Sequence, residues 1–484
     1  MQRHENCWRF PAAPVAGDGR GSLRLPNTYL VAPLWRFLAV LLAFSAGAQA
    51  LPSFARKYQT SCTTCHVIVP KLNAFGVAFR NNGYRVPYND EKFVKQEETS
   101  LGAPAWKQVW PRGIWPSSIA GQVPLAVGLV SQVNVTPESQ VTTDFVFPEH
   151  LQVHGAGTLG ESVSYLASLH FMFLDNTTDT QFMRGHIAFH RLRGDPLLNL
   201  RVGRFEVGAT PFSRFTKKLT TSDYMATQYQ TTSGGFQLSN PQSGVELFGA
   251  QTGFWNRGGF EYAIGLVNGS GRMYDNNSQK DFYASASYKF GGYGLTGSRE
   301  ELTELKMTDN FVDNSFTFGG FGYLGRTSSP FVGEVRFNRW GLRADLSIQR
   351  LNLYGAYIHG SDTFHGSATR QNTNSYFVEA DYVILPWIIA VFRYDQVLLG
   401  RQTPLAGGGH GDMFAARAEP LPVYHTMSGD MLPAKRWVPA MVFAIRANVT
   451  VHAEGVVPVG RVDPAMAGSM ELQKRGQVAL RFYF

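Results

Sequence analysis

From about residue 118 to its last residue the chain alternates between apolar and polar side chains, in short runs broken by turn residues. Phe282, Ala284, Ala286, Tyr288 and Phe290 share one parity, against Tyr283, Ser285, Ser287 and Lys289. Met441, Phe443, Ile445 and Val451 likewise oppose Val442, Ala444, Arg446 and His452, while Tyr376, Val378, Ala380 and Tyr382 oppose Glu379 and Asp381. Successive side chains of a strand point to opposite faces. Each run therefore has one apolar face, suited to lipid, and one polar face, suited to a lumen.

A soluble β-sandwich also alternates, so the C-terminus discriminates. Val478, Leu480, Phe482 and Phe484 alternate with Gln477, Ala479, Arg481 and Tyr483, and the chain stops on Phe484. Such an ending resembles the last strand recognised by the bacterial outer-membrane assembly machinery. Only 17% of residues are charged, against 13% aromatic and 50 glycines, a composition that fits a barrel better than a helical enzyme. At roughly 20–24 residues per strand plus connection, residues 118–484 make about 16 strands. The expected fold is an all-β membrane barrel: an antiparallel, porin-like outer-membrane barrel of about 16 strands behind a small N-terminal helical segment. Arg193-Gly194-Asp195-Pro196 is expected to be a short periplasmic turn, and 211–238, 360–374 and 400–433 to be outer loops. The formal charge of +8 is spread out, with no basic run of the kind that binds nucleic acid.

Residues 1–50 are read as leader and signal peptide. Arg36 precedes the apolar run Phe37 to Phe44, and Ala48-Gln49-Ala50 supplies an A-x-A cleavage site. Cleavage there removes Cys7 and leaves two cysteines, both in Cys62-Thr63-Thr64-Cys65-His66. This is the C-x-x-C-H pattern of c-type haem attachment. Each thiol adds to one haem vinyl group, and the adjacent imidazole becomes the proximal iron ligand. A zinc site would need further ligands that no other cysteine can supply. A C-x-x-C redox pair belongs in a βαβ context, absent here; a disulfide would not need His66. Cys62, Cys65 and His66 are thus expected to hold one covalent haem c.

The segment around the motif, residues 51–87, is small. Pro70 is expected to open a helix with Leu72, Phe75 and Phe79 on one face, and Asn81-Asn82-Gly83 to stop it. Residues 88–117 read as a linker and 118–484 as the barrel. So short a segment cannot build an adequate core alone, so haem and barrel must complete it. Between Val67 and Glu149 there is neither Met nor His, the usual sixth ligands. Either the iron is five-coordinate, a rarer donor such as Tyr58, Lys71 or Asn73 serves, or the ligand comes from the barrel. Strand parity puts His150, His154, His170, Met172, Arg184, His186 and His190 on the lumen side of neighbouring strands. A hairpin turning near 176–180 would set His170 opposite His186. These residues are either an ordinary polar lumen or the source of the distal ligand, the candidates being His170, His186, His150 and Met172.

Pro52-Ser53-Phe54-Ala55-Arg56, the CTTCH motif, Pro70, Leu72, Phe75-Gly76 and Asn82-Gly83-Tyr84 together resemble the fused monohaem cytochrome–porins of the bacterial outer membrane, whose best-known members oxidise Fe(II). The resemblance covers the haem segment by motif and the rest by architecture. It implies thioether anchors at Cys62 and Cys65, a proximal His66, and a haem at the barrel. It further implies an extracellular donor, Fe(II) or another, and a periplasmic carrier such as a soluble cytochrome. Lys57-Tyr58-Gln59-Thr60 and Pro70-Lys71 depart from the iron oxidases, which have Gln-Thr directly after Phe-Ala-Arg and an acid after the proline. The departure leaves the donor and the direction of flow open. A solute-selective porin with a haem sensing or gating domain, and a haem enzyme of peroxidase type, are the competing expectations.

Overall fold

The computed structural model describes residues 53–100, a few positions between 108 and 120, and most of 124–484, the longer omissions there being 405–433 and 461–472. The leader expected at 1–50 lies outside the described residues, as do the Gly407–Asp412 stretch and much of the loop expected at 400–433.

Sixteen antiparallel strands close into a barrel. They are β1 (Leu125–Val135), β2 (Thr143–Leu159), β3 (Val163–Leu174), β4 (Thr177–Phe189), β5 (Asn199–Phe205), β6 (Gln242–Thr252), β7 (Arg257–Val267) and β8 (Asp281–Tyr293). The second half holds β9 (Ser315–Ser329), β10 (Gly333–Ile348), β11 (Leu351–Phe364), β12 (Thr369–Leu385), β13 (Ile388–Leu399), β14 (Ala434–Arg446), β15 (Val449–Pro458) and β16 (Arg475–Tyr483). Closure joins β16 to β1, with Leu480 opposite Ser131 and Tyr483 opposite Gly128. Phe484 adds one more bond to the seam, its amide donating to the Val127 carbonyl at 2.8 Å. A closed barrel leaves no backbone edge unpaired in lipid, which is why the last strand must pair with the first.

The alternation resolves as expected on most strands. Val378 and Tyr382 are exposed while Phe377, Glu379 and Asp381 are buried. Phe282 and Phe290 face out, and Tyr283, Ser285, Ser287 and Lys289 face in. Exposed Val, Leu, Ile, Phe and Trp side chains thus form the outer surface, the arrangement of a lipid-facing band. Among the described residues no helix is long and apolar enough to cross a membrane.

Inside the barrel lies the core, and residues 206–241 supply much of it. This connection between β5 and β6 was expected, over 211–238, to be an outer loop. It does leave the barrel at the end opposite the short turns, and its described residues then fold into the bore, where Phe212, Tyr224 and Phe236 pack against Tyr323, Phe337, Tyr354 and Phe377 of the wall. Inward charges hold it there. Arg393 on β13, with no exposed side-chain surface, meets Glu379 at 3.3 Å and Asp395 at 3.1 Å, and donates to the Ser222 carbonyl at 3.1 Å and its hydroxyl at 2.8 Å. Glu454 on β15 accepts the Ser222 amide at 3.0 Å.

Of the stretch 360–374, also expected to be a loop, the described residues are mostly strand: β11 and β12 pair from Leu351 opposite Tyr382 as far as Phe364 opposite Thr369. Asp362, Gln371 and Thr373 face the bore, and Asp362 accepts from Arg339 at 3.0 Å. Of 400–433, Thr403–Pro404 pairs with the start of β12. The turn at Arg193–Pro196 is short, as expected, with the Gly194 amide donating to the Arg191 carbonyl at 2.8 Å. Barrel pairing begins at Leu125 rather than near 118, because Ser118–Ala120 pairs with Glu98–Ser100 instead.

Candidate haem-attachment site

The N-terminal segment sits in the barrel mouth bordered by the short turns. Helix α1 (Ser53–Tyr58) leads into a single 3₁₀ turn, Cys62–Thr64, capped by Ser61. Cys65 closes the turn, its amide donating to the Cys62 carbonyl at 3.2 Å. Both thiols are free. Burial raises the pKa of Cys62 and pushes that of Cys65 up to about 12, so both are protonated thiols at neutral pH.

His66 begins a two-stranded turn in which His66–Ile68 pairs with Lys71–Leu72. Its Nδ1 lies 3.1 Å from the Pro70 carbonyl, which has only an acceptor to offer. The ring therefore donates from Nδ1 and presents a lone pair at Nε2, the tautomer a metal-ligating histidine needs. Burial lowers the His66 pKa to about 4, keeping the imidazole neutral. Pro70 thus occupies the turn and does not open a helix, because its neighbours are committed to strand pairing.

The helix starts four residues later. In α2 (Ala74–Asn81), Asn73 is the N-cap, its Oδ1 accepting the Gly76 amide at 2.8 Å. Asn73 Nδ2 donates to the Thr64 carbonyl at 3.0 Å, tying helix to motif. A Cβ at Gly76 would lie 2.1 Å from the Cys65 carbonyl oxygen, so glycine is what lets α2 rest directly on the cysteine turn. The helix ends at Asn82 and left-handed Gly83, as expected. Order continues beyond Pro87 through α3 (Asp90–Phe93), whose Asp90 accepts from the Val86 amide at 2.7 Å and the Tyr58 hydroxyl at 2.9 Å. Tyr58, Phe75 and Phe79, with Phe54 and Tyr84 partly buried, form the segment's apolar core.

The barrel completes the site. The Leu72 amide donates to the Thr216 carbonyl of the inner loop at 2.9 Å. Asn310 donates to the His66 carbonyl at 2.6 Å and the Thr63 carbonyl at 2.9 Å, and the Thr60 and Thr64 hydroxyls reach the Leu305 carbonyl. Asn82 donates to the Thr296 carbonyl at 2.9 Å. Three of these partners belong to the 294–314 connection between β8 and β9, which the sequence reading passed over. Its only signal was length, since neighbouring connections at that end are a few residues long. Two cavities flank α2. The first touches Val67, Lys71 and Leu72 beside the motif, and the second touches Asn81, Tyr84, His186 and His190 at the far end of the helix.

The rarer donors are already engaged: Tyr58 with Asp90, Asn73 with the turn, and Lys71 with Asp381 and Asn352. Of the lumen histidines, His150 and His170 stack at 5.7 Å and His154 meets His170 edge-on at 5.9 Å. His170 does not face His186. Its partner is Gln181, while His186 pairs with Leu166, and Met172 pairs with His150. Pairing runs out to Leu174 opposite Thr177, ahead of the turn expected near 176–180, and a bulge beside Met183 shifts the register between Ser168 and Leu169. An extra residue of this kind reverses strand parity, so the inward face changes from even to odd numbers below it. His186 lines the second cavity; His150, His170 and Met172 line neither. His190, inward as expected, is the histidine against the N-terminal segment: a Cβ at Gly83 would lie 2.7 Å from its ring. Among the described residues no group of three or more His, Cys, Asp and Glu could hold a metal ion.

No family model matches the chain, and no curated protein sequence does. Solved structures similar to it include OmpT of Vibrio cholerae in its trimer form (10% identity, TM-score 0.46, 74% of this chain and 98% of that one). Others are Salmonella typhi OmpF in complex with daunomycin (10%, 0.48, 74% and 97%) and the anion-selective porin from Comamonas acidovorans (11%, 0.48, 74% and 98%).

Proposed function

We propose that this barrel is an electron conduit of the bacterial outer membrane, built around one c-type haem held by Cys62, Cys65 and His66. The observation that carries the reading is the folded CTTCH turn, with two free thiols and one unblocked imidazole nitrogen, seated in the mouth of the bore. These residues fit the group: the thiols would form the thioethers, and His66 Nε2 would be the proximal ligand. A haem bound there supplies a one-electron couple. Short turns of bacterial barrels face the periplasm, so the motif lies toward a soluble periplasmic carrier. The donor would approach from the opposite mouth, and Fe(II) is the donor we propose.

The test is anaerobic addition of Fe(II) to the detergent-solubilised holoprotein, with haem content measured beforehand by pyridine haemochrome. Rapid growth of the reduced bands is the expected result. A haem reduced by dithionite but not by Fe(II) would remove iron from the proposal, and a protein without haem would remove the proposal itself. The cavities beside α2 favour a second reading, a solute-selective porin gated by its N-terminal segment. Substantial ion conductance of the holoprotein in planar bilayers would support that alternative.

A further inference from the structure

Arg80, in the last turn of α2, and Arg343, on the inner face of β10, line both cavities and are near enough to repel. Among the described residues Arg80 has no carboxylate partner. Arg343 is 7% exposed; its Nη2 donates to Glu261 at 3.2 Å, while its buried Nε has no partner. Two guanidiniums lining the same partly desolvated space are unfavourable unless carboxylates offset them, and Glu261 meets only Arg343. The wider lining points the same way. Eight basic and six acidic side chains line the two cavities together, an excess of two positive charges. An anion seated there would lie beside a helix that rests on the cysteine turn, and one with two carboxylates could meet both guanidiniums.

We infer that Arg80 and Arg343 receive the two propionates of the haem, so that the barrel wall anchors the end of the macrocycle away from the thioethers. The inference rests on the haem reading above. A guanidinium offers several donors in a planar fork and matches a carboxylate in two-point contact. The arrangement has an electrostatic consequence. Cations beside the haem disfavour its more positive oxidised state, and so hold the midpoint potential up.

The test compares Arg80→Gln, Arg343→Gln, the corresponding Lys variants and the exposed control Arg336→Gln, all as holoprotein. Midpoint potential is read by spectroelectrochemistry and propionate deformation bands by resonance Raman. Each Gln variant should keep covalent haem, show a lowered potential and shift the propionate bands. The Lys variants should recover most of the potential but not the bands, and Arg336→Gln should change neither. If a Gln variant fails to assemble, the Lys variant still reads the bands. Unchanged potential and bands in haem-loaded variants would overturn the assignment. Arg343-dependent binding of inorganic phosphate by the Cys62→Ala/Cys65→Ala chain, with haem bands unmoved in the holoprotein, would reassign the site to a free anion. Absence of haem from the wild type would instead sink the underlying functional reading.

Discussion

The ammonium of Lys71 is held by the carboxylate of Asp381, pinning the turn next to His66 to the inner wall of the barrel. Both side chains are almost wholly buried, and Asn352 accepts a second bond from the same ammonium at 2.7 Å. Removing one partner of a buried ion pair leaves the other charged and desolvated, at a cost of about 3–5 kcal/mol. Asp381→Asn should therefore loosen the N-terminal segment without opening the barrel. Hydrogen exchange across residues 53–94 should rise severalfold, while the heat-modifiable mobility of the barrel stays as in the wild type. Unchanged exchange would show that the backbone bond from Leu72 to Thr216 and the asparagine contacts suffice.

The lumen histidines divide into two groups by position. His150, His170 and Met172 line neither cavity beside α2, whereas His186 lines the second. If the iron has a histidine sixth ligand from the barrel, His186→Ala should convert the haem to a high-spin spectrum. The same substitution at His150 or His170, and Met172→Ala, should leave it unaltered. A spectral change from any of those three, with none from His186, would place the iron elsewhere in the bore.

Parity was readable in the sequence because lipid imposes it: Val378 and Tyr382 must be apolar, while Glu379 and Asp381 need only avoid lipid. The Cys62–His66 turn stood out because the attachment chemistry proposed for it demands a fixed spacing. The inner loop did not, since Thr220, Ser222 and Asp223 look like any solvent-facing loop until Arg393 is placed beneath them. The same holds for Asp362, Gln371 and Thr373, polar side chains that face a bore rather than water. The pairing of His170 with His186 failed because it assumed a turn near 176–180, whereas Leu174 already pairs with Thr177 and brings Gln181 opposite His170. Pro70 was misread for a local reason: proline suits a first helical turn, but also suits the tight reversal that carries the acceptor for His66.

Arg393 offers a direct test of the inner loop. Its guanidinium joins Glu379 and Asp395 of the wall to residues 220–223 of the loop, all at the centre of the bore. Arg393→Ala would leave buried Glu379 without its guanidinium, leave Asp395 to Arg436 alone, and remove several of the loop's attachments, a loss of several kcal/mol. Single-channel conductance in planar bilayers should increase, with the barrel still assembled. Equal conductance in variant and wild type would mean that the aromatic packing of Phe212 and Tyr224 holds the loop without its charges.

The last prediction concerns pH. Burial sets the His66 pKa at about 4 in the folded chain, against an ordinary value near 6.5. The detached segment therefore binds a proton more readily than the docked one, and the docked state loses stability as pH falls from about 6.5 toward about 4. Above that window both states are neutral at His66 and the contribution is flat. The shift corresponds to roughly 3 kcal/mol, enough to register in a single domain-sized contact. In the Cys62→Ala/Cys65→Ala chain, where no thioether can hold the segment, hydrogen exchange at residues 53–94 should quicken on acidification through that range. His66→Asn should flatten the dependence. A slope that survives the substitution would assign it to a carboxylate of the interface rather than to the imidazole. In the holoprotein, iron at Nε2 should carry the same protonation to lower pH, because proton and metal compete for one lone pair.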